Sequence, residues 1–124
     1  MQLTRDSVPA NLIRAWEPGR IRIADRWIAG HVVVMPERIV EDWRVASPAD
    51  LVLGDLRDAL ASQPEIVLLG TGPALLWPEA DLVAELAASG VGLEIMDTAA
   101  ACRTFNVLVQ ERRRVAAALF NPGR

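Results

Sequence analysis

The residues with the best spacing for binding chemistry lie in two turns, Gly70-Thr71-Gly72 and Asp97-Thr98. Each turn follows a short apolar segment typical of a buried strand, and a helix is predicted between the two strands. A right-handed crossover with parallel strands would bring both turns to one edge of the sheet. A small anion or a nucleotide-like ligand could then bind between the glycine turn and the helix that starts near Thr98.

Both turns also have structural explanations, which the residue types favour. The glycines indicate a tight turn that needs a positive φ angle, and Asp97 or Thr98 would cap the following helix. The glycine turn departs from known phosphate-binding loops. A dinucleotide fingerprint has a third glycine where this chain has Leu75, and a Walker loop needs a lysine, of which the chain has none.

The helix predicted after Asp97 carries Cys102, Arg103 and Asn106. Arg103 and Asn106 join the two turns in the candidate ligand-binding set. Asn106 is polar within an otherwise apolar helix, so we expect it to hydrogen-bond backbone groups across a packed contact. Cys102 has a cation beside it, but neighbours in sequence diverge on a helix. The only available base, His31, lies on a distant strand, so we predict a buried, inert thiol, with a redox role as the alternative.

The amino-acid composition and net charge argue for a globular protein and against several classes of function. Apolar residues make up 52% of the 124 residues and charged residues 23%, which predicts one globular domain, residues 1–124, with residues 1–17 as an extended arm. A net charge of −3 argues against nucleic acid as a partner. One cysteine and one histidine predict no metal site, and we predict no cofactor. Without a signal-like or membrane-spanning apolar run, the chain is expected to be cytoplasmic and to have no transmembrane segment.

Hydrophobic periodicity predicts an α/β protein in which several antiparallel strands lead into a mixed sheet with helices packed against it. A hairpin has its turn at residues 24–26, and its second strand is expected to run on through residues 32–34. The remaining predicted elements are a weak strand at 37–45, a helix at 53–63, a strand at 65–70, a helix at 78–90, a strand at 91–96, a helix at 98–110 and a strand at 114–120.

The stretch "MDTAAACRTFNVLVQERRRVAAAL", preceded by "GTG" after a buried strand, resembles a family of unknown function numbered 498/504. That family includes small archaeal and bacterial proteins and mitochondrial assembly factor three of respiratory complex I. The resemblance runs from about Trp16 to Leu119, with Trp43 and the hairpin Ile21–Val34 fitting the pattern. Its specific residues are Gly70-Thr71-Gly72, Asp97-Thr98, Ala101, Asn106-Val107-Leu108, Glu111, Arg113 and Val115-Ala116-Ala117.

The resemblance implies a three-layer α/β fold with a mixed central sheet, helices packed on it and an additional antiparallel hairpin. It implies no established reaction, cofactor or catalytic residue. Two residues depart from the family pattern. Phe105 stands where tyrosine is common, so a phenol hydroxyl is not required. Arg112 stands where glycine is common, so we expect that this turn need not be left-handed.

These observations lead to two hypotheses about function. They leave open whether the chain is an enzyme, but they favour a protein that is not one. The first is a non-catalytic interaction or assembly-factor module with an unidentified protein partner, because the chain has no complete catalytic set. The second is a ligand-binding protein or enzyme that uses the crevice between the two turns. The oligomeric state is left open.

Overall fold

A computed structural model describes residues 9–123 and contains two β-sheets and three α-helices in that range. Two short 3₁₀ turns, Pro48–Asp50 and Leu53–Leu56, precede the first helix. The strands are β1 (Ile13–Glu17), β2 (Arg20–Ile23), β3 (Arg26–Ala29), β4 (Val32–Met35), β5 (Arg38–Val40), β6 (Ile66–Gly70), β7 (Gly92–Met96) and β8 (Val115–Leu119). The helices are α1 (Arg57–Ala61), α2 (Ala80–Ala88) and α3 (Thr98–Gln110).

The central sheet has five strands in the order β5-β4-β8-β6-β7. The pairs β6–β7 and β6–β8 are parallel, whereas β4 pairs antiparallel with β5 and with β8. Every residue of β4 and β8 is buried, as expected for strands that are covered on both faces. The mixed sheet and the parallel strands on either side of α2 confirm the predicted fold class.

Successive residues of β8 point into two separate cores. Val115, Ala117 and Leu119 pack with α3 and with the sheet formed by β1, β2 and β3. Ala116 and Ala118 pack on the opposite face, among residues of α1, α2 and the segment that precedes α1. The alanines lack bulk, which lets helices approach the sheet closely on both sides. The central sheet is therefore the middle of three layers.

Helix α3 spans the predicted residues, and the Asp97 side chain caps its N-terminus by accepting the N–H of Ala100 at 2.8 Å. Its apolar side is fully buried at Ala101, Cys102 and Phe105. The chain leaves the helix through Arg112, whose φ angle is +61°. Our expectation for this turn was wrong, because the backbone is left-handed here even without a glycine.

The N-terminal half differs from the predictions in three places. The expected second hairpin strand is broken at Gly30 (φ +85°), so β3 stays in the small sheet while β4 enters the central one. The strand predicted at 37–45 is only β5, and Asp42 follows in a left-handed conformation (φ +61°). The helix predicted at 53–63 begins as a 3₁₀ turn and becomes α-helical only in α1.

The predicted hairpin is part of a three-stranded antiparallel sheet, because β1 pairs with β2. Part of the predicted arm, residues 13–17, is therefore a paired strand, while residues 1–8 lie outside the described residues. Within residues 9–123, no helix has the length and apolar character needed to cross a membrane.

Candidate functional site

The two turns meet at the carboxyl edge of the central sheet, as their positions after parallel strands predicted. Gly70 and Met96 are register partners at the ends of β6 and β7. Beyond them, the N–H of Thr71 donates to the Met96 carbonyl at 2.9 Å. The N–H of Thr98 donates to the Gly72 carbonyl at 2.9 Å. Backbone hydrogen bonds thus join the glycine turn directly to the first residue of α3.

The Thr98 hydroxyl links three chain segments at this junction. It accepts the N–H of Gly72 at 2.8 Å and donates to the Phe120 carbonyl, just after β8, at 2.7 Å. The Thr98 side chain is fully buried. Since a buried hydroxyl needs partners for both of its functions, this arrangement satisfies it without a ligand.

Gly70 is required for close packing at the same point. A β-carbon added there would lie 2.9 Å from Leu119 Cδ2, 3.0 Å from Thr98 Oγ1 and 3.1 Å from the Ala101 β-carbon. No side chain fits that space without displacing its neighbours. Gly72 has a different role, because its φ angle of +99° confirms the predicted need for positive φ.

The Thr71 hydroxyl braces the loop that follows the glycine turn. It donates to the Ala74 carbonyl at 2.7 Å and accepts the N–H of Leu76 at 3.0 Å. Thr71 itself is buried, whereas residues 73–77 are all exposed. We call residues 73–78, Pro-Ala-Leu-Leu-Trp-Pro, the apolar loop. It displays Leu75, Leu76 and Trp77 with exposed fractions of 49, 51 and 66%.

Asn106 and Arg103 lie away from the junction. Asn106 is eight residues beyond Thr98, about 12 Å along the helix axis. Its side chain accepts the N–H of Ile13 and donates to the carbonyl of Ile13, both at 2.8 Å. The amide therefore pairs with β1 as a neighbouring strand would, which confirms the predicted contact with backbone groups. Arg103 is exposed on α3.

The structure therefore brings together five of the seven candidate residues, namely Gly70, Thr71, Gly72, Asp97 and Thr98. It commits their polar groups to turns, caps and junctions within the chain. Asn106 is committed to Ile13, so the seven do not line one crevice. Binding of a small anion or nucleotide-like ligand at these residues stays a prediction.

Cys102 and His31 each have a structural role of their own. The Cys102 side chain is fully buried, and burial raises the pKa of its thiol to about 12. His31 Nδ1 accepts the N–H of Asn121 at 2.9 Å, and its ring lies edge-on to Phe120. Burial lowers the pKa of His31, which favours the neutral ring that this hydrogen bond requires. The geometry does not activate the thiol.

Comparison with known proteins decides the family. The family model described as protein of unknown function (DUF498/DUF598) matches residues 13–120. The chain belongs to this family. The match extends from the first residue of β1 to the residue after β8, so it includes both sheets and all three helices. It confirms the resemblance to family 498 and corrects the second family number from 504 to 598.

Three similar proteins show how far the similarity extends. The chain is 35% identical to NADH dehydrogenase [ubiquinone] 1 alpha subcomplex assembly factor 3 of Xenopus tropicalis, over 98% of this chain and 67% of that protein. It superimposes on the crystal structure of a Bordetella parapertussis protein with a TM-score of 0.85 and 36% identity, covering 93% of this chain and 98% of that chain. It also superimposes on an NMR structure of a Xanthomonas campestris protein with a TM-score of 0.86 and 35% identity, covering 99% of this chain and 94% of that chain.

The exposed apolar loop was not predicted from the sequence. A signal was present, because Ala74-Leu75-Leu76-Trp77 is an apolar run between two prolines and fits neither a helix nor a strand pattern. Trp27 and Trp77 are exposed, whereas Trp43 is buried and donates its indole N–H to the Asp55 carbonyl at 2.9 Å.

Proposed function

We propose that this chain is a non-catalytic interaction module that assists the assembly of a respiratory complex of the NADH dehydrogenase type. The observation that carries the proposal is the 35% identity to the assembly factor of Xenopus tropicalis, which extends over nearly the whole chain. The chain spans 67% of that longer relative, so the proposed role belongs to the region that the two proteins share.

The hydrogen bonds that the candidate polar groups make within the chain also support an interaction role rather than catalysis. The hydroxyls of Thr71 and Thr98, the Asp97 carboxylate and the Asn106 amide all bond to backbone groups of the chain itself. Residues that serve a reaction usually keep a reactive group free to reach a substrate. The apolar loop, by contrast, exposes about half or more of the Leu75, Leu76 and Trp77 side chains, as a protein-binding surface does.

Deletion of the gene in its native cells tests the proposal. We expect less fully assembled NADH dehydrogenase on native gels and lower NADH-dependent quinone reduction in isolated membranes. Succinate-dependent quinone reduction should stay unchanged, and a plasmid copy of the wild-type gene should restore the loss. Normal amounts of assembled, active NADH dehydrogenase in the deletion strain would contradict an assembly role.

We also propose a cytoplasmic location, which the free, buried Cys102 permits because no disulfide is needed for the fold. Fractionation of native cells should recover the protein with cytoplasmic markers, including any portion that sediments with membranes only at low salt. Recovery among periplasmic or outer-membrane proteins would contradict this location.

A further inference from the structure

Within residues 9–123, half of the exposed large hydrophobic residues lie in the apolar loop. Six large hydrophobic residues are strongly exposed within residues 9–123, and three of them, Leu75, Leu76 and Trp77, are consecutive. The others, Trp27, Val52 and Val107, are isolated in sequence. A single exposed hydrophobic residue is ordinary, whereas several in one segment mark a contact surface.

The loop is also held in a defined shape. Thr71 bonds to the backbone at both Ala74 and Leu76, and the loop ends at Pro78, which is buried. At its other end, a β-carbon added to Gly123 would lie 3.7 Å from the Pro73 β-carbon, so the C-terminal segment passes close to Pro73. A braced loop loses little conformational freedom when it binds, so its apolar side chains can contribute more fully to affinity. The family's glycine turn thus has a second role as the base of this loop.

The charges around the loop indicate the chemistry of its partner. The helix that follows the loop, α2, carries Asp81 and Glu85 and no basic residue, and Glu79 immediately precedes it. Glu79 and Asp81 come directly after the loop and are exposed. Neither forms an ion pair within the described part of the chain.

Exposed carboxylates next to the apolar residues disfavour anionic lipid, since the negative surface potential of such a membrane attracts basic segments. They favour a protein surface of opposite charge. We propose that Leu75, Leu76 and Trp77 insert into an apolar pocket of a partner protein whose rim carries arginine or lysine side chains facing Glu79 and Asp81. The assignment of this partner to respiratory-complex assembly rests on the proposed function, but the surface itself does not.

Photo-crosslinking in native cells tests the surface directly. A benzoylphenylalanine replacing Trp77 should crosslink to a protein, and the crosslinked peptide should lie in an apolar pocket with basic residues at its rim. The same probe at Val107, which is 52% exposed on α3, is the matched control and should not give that product. Crosslinks from position 77 to an acidic or wholly polar surface, or the same product from both positions, would overturn the proposal.

Binding of the crosslinked protein, once purified, gives the quantitative test. Leu75→Ser with Trp77→Ser should weaken the affinity about tenfold or more, as expected for central interface anchors. Val107→Ser should change it by less than about twofold, since it lies outside the surface. Glu79→Gln with Asp81→Gln should also weaken binding and reduce its sensitivity to salt. Equal affinity for the loop variant and the wild type, with unchanged circular dichroism, would refute the inference.

Two other occupants are separate outcomes of the same study. Flotation with phosphatidylcholine vesicles, with and without phosphatidylglycerol, should leave the protein unbound. Flotation that Trp77→Ser abolishes would overturn the inference in favour of a lipid surface. Sedimentation velocity should give the same species for wild type and loop variant, and a dimer that dissociates in the variant would overturn it in favour of a second copy.

The deletion strain separates failure of this inference from failure of the proposed function. If the wild-type gene restores NADH dehydrogenase and the loop variant restores it equally well, only the loop inference fails. If the deletion has no effect on NADH dehydrogenase, the assembly role fails, while crosslinking at position 77 still decides the partner surface.

Discussion

Thr98→Val is the most informative single substitution, because it removes one hydroxyl and keeps the side-chain volume nearly constant. The Thr98 hydroxyl accepts the Gly72 N–H at 2.8 Å and donates to the Phe120 carbonyl at 2.7 Å. Valine cannot serve either group. The hydrogen bond from the backbone N–H of residue 98 to the Gly72 carbonyl does not depend on the side chain and would remain.

The expected cost follows from the two backbone groups left without a partner. Both hydrogen bonds are buried, so water cannot readily replace the hydroxyl. Each buried polar group without a partner costs about 1–3 kcal/mol, which gives about 2–6 kcal/mol for the pair. This is a large share of the roughly 5–15 kcal/mol by which a domain is stable. At roughly 4 °C for each kcal/mol, Tm should fall by about 8–24 °C.

Urea unfolding followed by tryptophan fluorescence measures this change, since Trp43 is buried and contacts the ring of Phe120 with 5.1 Å between centroids. Thr98→Ser is the matched control, because it keeps the hydroxyl and loses one methyl group, at a cost of about 1 kcal/mol. The valine variant should be the less stable of the two. A valine variant at least as stable as the serine variant, with an unchanged m-value, would refute the role assigned to the hydroxyl.

Three further predictions concern side chains outside this junction. Asn106→Ala should lower the free energy of unfolding by about 1–2 kcal/mol, because both backbone groups of Ile13 lose a partner at a half-buried site, and amide hydrogen exchange at Ile13 should accelerate. Cys102 should react with a maleimide at pH 8 only when denaturant is added, since its thiol pKa is raised to about 12; fast labelling of the native protein would contradict this. Because burial lowers the pKa of His31, the unfolded chain binds more protons below about pH 6.5, so stability should fall as pH falls through that range; in His31→Gln this part of the pH dependence should disappear, and its persistence would exclude His31 as the source.

The first and last residues of α3 were predicted from the sequence because local features mark both ends of the helix. Asp97 is a good N-cap residue, the buried positions recur at helical spacing, and charged residues follow the helix. The break at Gly30 was harder to foresee. The residues on either side are apolar and prefer strands, and nothing local says that β3 and β4 join different sheets. That choice depends on pairing of β4 with β8, more than 80 residues later.

At the candidate site too, the features that follow from the order of the elements were predicted, whereas those that depend on long-range pairing were not. The meeting of the two turns follows from a general rule about parallel strands, so it needed only the order of the elements. The hydrogen-bond partner of Thr98 depends on β8 lying beside β6, which the local sequence does not specify. Asn106 was expected to bond to backbone groups, but its partner Ile13 is 93 residues away. Polar residue types therefore predicted a need for partners without identifying them.

The residues that carry the family resemblance are largely internal, and this limits what family membership implies about recognition. Gly70 fills a space that admits no side chain, Thr98 joins three segments, and Asn106 attaches β1 to α3. Each of them specifies the fold, and none is free to touch a partner. Val107, Glu111 and Arg113 are the exposed members of that set, whereas Leu75 and Trp77 of the proposed partner surface are not among the residues that identify the family. A protein could keep the junction and replace the loop, which would preserve the fold while changing the partner. Transplanting residues 73–78 between two family members that bind different proteins should therefore move the binding preference with the loop.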